Sequence, residues 1–197
     1  MKDIFPVFHK LLGRTEKERL LKQKAIVIWI TGLPASGKTT LAIGLEKVLY
    51  EMGFLCYVLD GDNVRTGINN DLHFSAEDRK ENIRRIAEVS KLFVQCGVVV
   101  INCFVSPTEE LRQLAQSIIG EDDFNLVYVN TPVEICELRD SKGLYAKARK
   151  GEIKDFTGIN APFEVPASPA LEIKTEQHSV DESLKILVDF VLPKVKT

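Results

Sequence analysis

Little in this 197-residue chain points to a disulfide framework, a metal cluster or a membrane. Its four cysteines, Cys56, Cys96, Cys103 and Cys136, lie apart in apolar segments without Cys-x-x-Cys spacing, which reads as buried thiols in a reducing cytoplasm. The three histidines, His9, His73 and His178, share no metal-ligand spacing. Neither sign of charge dominates: 26 lysines and arginines face 28 acidic residues. A net charge of −2 excludes a general nucleic-acid binder, so any anion site must be a local concentration of positive charge. No apolar run approaches the roughly 20 residues that span a bilayer. The stretch Ile4-Phe5-Pro6-Val7-Phe8 is too short and interrupted for a secretory signal. Internal repeats and low-complexity tracts are absent. The length suits one α/β domain with a substantial core.

What is present is concentrated after residue 24. The run Ala25-Ile26-Val27-Ile28-Trp29-Ile30-Thr31 is continuously apolar and β-branched and reads as a buried strand. It leads into Gly32-Leu33-Pro34-Ala35-Ser36-Gly37-Lys38-Thr39, a G-x-x-x-x-G-K-[ST] pattern, and then into a helical run over residues 38–52. Strand, glycine-bounded loop and helix together form a cradle for polyphosphate. Amides from Gly32 through Thr40 and the positive end of the helix face the anion. Lys38 reaches the outer phosphates and Thr39 ligates Mg²⁺. The expected ligand is a nucleoside triphosphate, ATP.

Further strands are expected over residues 54–59, 98–101, 124–129 and 170–174, and helices over 78–96, 107–119, 132–139 and 179–192. This alternation predicts a three-layer α/β fold of the P-loop kinase type: a five-stranded parallel sheet with helices on both faces. Residues 25–197 form that domain, and residues 1–24 a basic extension packed on it or on a partner. Residues 140–169 lack clear periodicity and are rich in Lys, Gly and Pro. A segment of this length is expected to close over a site as a lid, with Arg139, Lys142, Lys147, Arg149 and Lys150 clamping phosphates.

The third strand carries no terminal aspartate of the kind that holds Mg²⁺ in many ATPases and GTPases, and the chain lacks an Asn-Lys-x-Asp guanine-reading motif. The available carboxylates follow the second strand, in Asp60-Gly61-Asp62-Asn63-Val64-Arg65. This suits phosphoryl transfer to an alcohol, with Asp62 as general base or hydroxyl-orienting group and Asp60 serving the metal or fixing the loop. An Asx-type turn is the alternative reading of both. Ser75 is a candidate cap for the next helix, on whose first turn Arg79 and Asn82 share a face. Arg65 and Arg79 are candidates for an anion site. Phe74 and Phe156 stand in polar loops and can stack on a base or plug their loops onto the core. Ser106-Pro107-Thr108-Glu109 has the chemistry of a helix start, with Ser106 as cap.

Taken together these segments resemble the adenylylsulfate kinase (APS kinase) family. The resemblance rests on Gly32–Thr39, Asp60–Arg65, Phe74-Ser75 with Asp78–Arg85, Phe104–Pro107, Lys142–Tyr145 with Lys147-Ala148-Arg149, and Phe156–Ile159, in the family's order. It implies transfer of the γ-phosphate of ATP to the 3′-hydroxyl of adenosine 5′-phosphosulfate. It further implies that Phe74 and Phe156 sandwich the substrate adenine, and that Arg65, Arg79, Asn82, Lys142 and Ile159 bind substrate while Asp62 acts on the hydroxyl. Ser106 falls where members are described as carrying a phosphoserine intermediate; direct in-line transfer is sufficient without it. A cytoplasmic homodimer is implied. Three positions depart from the pattern. Pro34-Ala35 replace a common Ser-Gly and are expected to alter the stiffness of the loop without loss of binding. Asn160 replaces an acidic residue, and Cys103 a small polar one.

Overall fold

The computed structural model describes residues 3–197. Its centre is β1 (Val27–Thr31), whose side chains are all buried. The continuous apolar run is explained by burial on two faces. Ile26, Ile28 and Ile30 pack toward α2 (Lys38–Glu51) and α8 (Val180–Val195) through Leu41, Leu45, Leu187 and Val191. Ala25, Val27 and Trp29 pack the other way, toward α4 (Ala76–Gln95) and α5 (Glu109–Ile119) through Ile83, Ile86, Leu111 and Ala115. A strand buried on both faces has no solvent side to alternate toward.

Around β1 stand β2 (Cys56–Asp60), β3 (Val99–Cys103), β4 (Phe124–Asn130) and β5 (Leu171–Lys174), in the order β2-β3-β1-β4-β5. Every pairing is parallel. All carboxyl ends therefore meet along one edge, where ligands of open α/β sheets bind. α3 (Gly61–Arg65) follows β2 directly; α6 (Val133–Leu138) and α7 (Leu144–Arg149) lie between β4 and β5.

Several boundaries move from their expected places for local reasons. Phe54 closes the turn after α2 by donating to the Leu49 carbonyl, and Val98 caps α4 through the Phe93 carbonyl, so both strands begin later. The cap of α5 is Thr108, whose hydroxyl accepts from the Leu111 amide, and not Ser106. Ser106 stands before the helix with φ of 41°. The aperiodic stretch contains α7, too short to register as a pattern. Of the cysteines, Cys103 and Cys136 are buried as expected, but Cys56 is half-buried and Cys96 exposed at the end of α4.

Residues before β1 include α1 (Arg14–Leu21) and a tie to the amino edge of the sheet. Arg14 pairs with Asp123 at 2.6 Å and donates to the Ala25 carbonyl. The fully buried Gln23 side chain donates to the Leu55 and Gly97 carbonyls and accepts from the Leu55 amide, each at 2.8 Å. Replacing Gln23 by Ala strands the Leu55 amide and the Gly97 carbonyl, while the Leu55 carbonyl keeps the Val99 amide, which should cost on the order of 3 kcal/mol. The thermal midpoint should fall by roughly 6–12 °C, measured by calorimetry; an unchanged midpoint would mean that water replaces the side chain at no cost.

Candidate active site

A cleft of about 710 Å³ opens at the carboxyl edge of the sheet, lined by residues 34–41, Asp60, Asp62, and side chains from α4 and the 139–157 segment. Its floor is the loop between β1 and α2. Gly32 is required by close approach: a Cβ there would meet the Val129 carbonyl oxygen at 2.5 Å. Ala35 adopts φ of 59°, a conformation that glycine takes freely and that strains a residue with a Cβ. The loop is held from behind by Thr131 and Thr175, whose hydroxyls donate to the Ser36 carbonyl. The Ser36 hydroxyl is buried without a partner among the described residues.

Lys38 opens α2 and is 7% exposed. Its ammonium donates to one neutral acceptor, the Leu33 carbonyl, at 2.6 Å. Burial lowers its pKa, with Cys103, Cys136 and the two aspartates opposing the shift. Among the described residues three arginines on the cleft wall share this lack of a paired carboxylate. Arg65 donates to the Leu72 and His73 carbonyls. Arg79 donates to the Phe74 and Asp155 carbonyls and the Thr157 hydroxyl. Arg139 donates to the hydroxyl and carbonyl of Thr175. By contrast Arg84, Arg85, Arg112 and Arg149 pair with carboxylates. Desolvation lowers the pKa of Arg65 and Arg79, the first also by the charge of the second. Charges held only by neutral dipoles in one concavity form an anion site.

On the opposite wall the Asp60 carboxylate caps α3 by accepting from the Asp62 and Asn63 amides. Its second oxygen accepts from the Thr39 hydroxyl at 3.0 Å. Loop fixing and nearness to Thr39 therefore coexist in one residue. Two hard oxygen donors beside a phosphate loop are of the kind that would hold Mg²⁺. Cys103 lies 3.4 Å from the Thr39 hydroxyl, and burial pushes its thiol up to about 11, so it stands there neutral. Asp62 is exposed in the cleft and pairs with Lys142 from the segment before α7, an ion pair that raises the lysine pKa.

Phe74 is 61% exposed, with the Arg65 and Arg79 guanidinium groups 4.5 and 5.9 Å from its ring centre. Phe156 is nearly buried, edge-on to Tyr145 at 4.9 Å, in a small apolar cluster with Cys136 and Ala148. Asn82 lines the cleft, its carbonyl oxygen accepting from the buried Asn69 amide. Some residues expected at the site lie apart from the cleft. Ile159 is not on the cleft wall; the tight turn closed by the amides of Gly158, Ile159 and Asn160 carries it to a separate groove beside Tyr128 and Phe163. The basic run does not converge either, since Arg149 is taken by Glu137, and only Arg139 and Lys142 reach the cleft. Asn160 fastens this turn by accepting from the Phe156 amide and donating to the Ile153 carbonyl.

Ser106 is 2% exposed, and its hydroxyl accepts from the Trp29 indole at 2.9 Å. Its carbonyl accepts from Arg112. At the far end of the cleft Arg139, expected from sequence, is joined by Thr175, Val180 and Ser183, which were not singled out. The usable signal was positional, because Thr175 directly follows β5 at the ligand-binding edge.

A phosphate loop between the central strand and a helix, facing a cleft where arginines held by neutral groups stand across from Asp60 and Asp62, defines a P-loop kinase. The chain belongs to the adenylylsulphate kinase family, whose sequence profile matches residues 24–174. It is 57% identical over 193 residues to the adenylyl-sulfate kinase of Bacteroides thetaiotaomicron, covering 98% of this chain and 96% of that one. It is 49% identical over 180 residues to that of Clostridium acetobutylicum, covering 91% and 90%. The structure of the Mycobacterium tuberculosis APS kinase in complex with AMPPNP and APS superposes with a TM-score of 0.82 at 44% identity, covering 86% of this chain and 98% of that one.

The buried ammonium yields a sign-specific prediction. Because the Lys38 pKa is lower in the folded state, the unfolded chain binds that proton more tightly, and stability rises with pH from the folded pKa up to the ordinary value of 10.5. Lys38→Met removes a desolvated charge, so the ligand-free variant should melt above wild type near neutral pH and lack this rise. Differential calorimetry across alkaline pH checks both; a lower midpoint for the variant would mean that Lys38 stabilises the empty loop.

Proposed function

We propose that the enzyme transfers the terminal phosphoryl group of ATP to the 3′-hydroxyl of adenosine 5′-phosphosulfate, giving 3′-phosphoadenylylsulfate and ADP. The observation that carries this reading is the charge pattern of one cleft. Lys38, Arg65, Arg79 and Arg139 face it without carboxylate partners, and Asp62 faces it from the other wall. Two nucleotides carrying phosphate and sulfate suit such an arrangement, and the hydroxyl to be phosphorylated needs a carboxylate such as Asp62.

In this reading the loop from Gly32 to Thr40 holds the ATP phosphates, and Arg139 and Thr175 flank its base. Phe74 and Phe156 hold the acceptor adenine between them, while Arg65, Arg79 and Asn82 hold the phosphosulfate. Lys142 leaves Asp62 as substrate enters and turns to the anions. Asp62 then accepts the 3′-hydroxyl proton as the hydroxyl oxygen bonds to the terminal phosphorus and the bond to the bridging oxygen of ADP breaks. Lys38 neutralises the charge that shifts onto the phosphate oxygens. Thr39 and Asp60 would hold Mg²⁺, which when bound neutralises phosphate charge. Ser106 acts through placement: its hydroxyl is committed to Trp29 and buried, which favours direct in-line transfer over a covalent intermediate. A cytoplasmic homodimer is part of the proposal, supported by the exposed apolar side chains Phe5, Leu12 and Leu20 near the amino terminus.

A coupled assay with ATP, Mg²⁺ and a panel of acceptors tests the reaction; turnover of another acceptor but not of adenylylsulfate would reject the substrate. Asp62→Asn should lower kcat by roughly 10²–10⁴ with ATP affinity retained, whereas unchanged turnover would remove the base. Ser106→Ala should keep kcat within about tenfold of wild type while costing on the order of 1–3 kcal/mol of stability, because the buried Trp29 N–H loses its acceptor. Loss of all activity with unchanged stability would restore the phosphoserine.

A further inference from the structure

The phosphate loop and the segment bearing Phe156 are joined by one hydrogen bond. The Tyr145 hydroxyl, on α7, donates to the Pro34 carbonyl at 2.9 Å, and Tyr145 is 2% exposed. The same ring meets Phe156 edge-on. The Tyr145 backbone is fixed in turn, since the Asp140 carboxylate accepts from the Leu144 and Tyr145 amides at 3.0 and 2.8 Å. A second contact runs alongside: the Cδ2 of Leu33 lies 2.9 Å from where a Cβ on Gly158 would be. Two successive loop carbonyls are thus occupied by side chains from different elements. The Leu33 carbonyl accepts from the Lys38 ammonium, a group that faces the phosphate site, and the Pro34 carbonyl accepts from Tyr145, which comes from α7.

We propose that Tyr145 is a positioning residue that couples nucleotide occupancy of the phosphate loop to assembly of the adenylylsulfate site, through its hydroxyl on Pro34 and its ring on Phe156. The inference rests on the reading that Phe156 borders the adenylylsulfate site. When Lys38 turns from Leu33 to phosphate, the loop keeps the Ser36 amide on the Leu33 carbonyl and the Thr131 and Thr175 hydroxyls on the Ser36 carbonyl. Tyr145 is the tether that links this held loop to the Phe156 segment, so the nucleotide-bound loop fixes the ring that orients Phe156. The strain at Ala35 and the ring of Pro34 limit how far the loop can yield between these tethers. Energetic coupling of this kind is reciprocal: ADP tightens adenylylsulfate binding by the same factor by which adenylylsulfate tightens ADP binding.

Isothermal titration of adenylylsulfate into wild type and Tyr145→Phe, each with and without saturating ADP and Mg²⁺, tests this. Wild type should bind adenylylsulfate at least about fivefold more tightly with ADP, and Tyr145→Phe should lose most of that factor, in line with one net hydrogen bond. Its affinity for ADP alone should change by less than about twofold, since a phenylalanine keeps the packing and alters only the tether. Asp140→Ala, which frees the backbone at the start of α7 and leaves the Tyr145 side chain unaltered, should lose the factor by a second route. Hydrogen exchange over residues 144–158 should slow on ADP binding in wild type and not in Tyr145→Phe. Equal coupling in wild type and Tyr145→Phe, or none in wild type, would overturn the proposal. Either result in an enzyme that still phosphorylates adenylylsulfate leaves the reaction standing; wild type that neither binds nor phosphorylates it would defeat that reading instead.

Discussion

A buried ammonium group with one carbonyl for company is the constraint around which this molecule is arranged. Lys38 is desolvated at the amino end of α2 and has no carboxylate partner among the described residues. Such a charge is costly in an empty protein, and the cost disappears when an anion arrives. The fold makes the cost tolerable by burying strand β1 on both faces, so that the loop after it is anchored by more apolar packing than the loop itself could provide. Thr131 and Thr175, from the ends of β4 and β5, then fix the loop from behind.

The cleft repeats this logic on a larger scale. Arg65, Arg79 and Arg139 are each oriented by neutral carbonyls or hydroxyls, which hold direction without cancelling charge. Surface arginines of the same chain take carboxylate partners instead. Asp62, which faces the cleft near Thr39 and Asp60, is covered by Lys142, an exposed pair that substrate can separate at little cost. Both features prepare the site for ligands more anionic than the protein around it.

Much of this was legible in the sequence, for identifiable reasons. The phosphate loop was readable because its pattern is local and its neighbours, a two-faced apolar strand and a helix, carry strong periodicity. Asp60, Asp62, Arg65, Arg79 and Asn82 were readable because they sit at a strand end or share one helix face. Ser106 was misassigned as a cap because Ser-Pro-Thr-Glu offers two hydroxyls for one job; its positive φ and the long-range bond from Trp29 leave the cap to Thr108. Ile159 and Arg149 turned elsewhere through a tight turn and a pairing with Glu137 that no periodicity encodes. The tether from Tyr145 to Pro34 joins residues 111 positions apart, and only the packed structure reveals it.

The central claim is that Lys38 and Asp62 act from opposite sides on one migrating phosphoryl group. A crystal structure of the enzyme with ADP, Mg²⁺, beryllium fluoride and adenylylsulfate addresses it most directly. The account predicts the Lys38 ammonium on the fluoride and the Asp62 carboxylate at about 2.6–3.2 Å from the 3′-oxygen, released from Lys142. An Asp62 still paired with Lys142, or turned from the ribose while both nucleotides are bound, would contradict it.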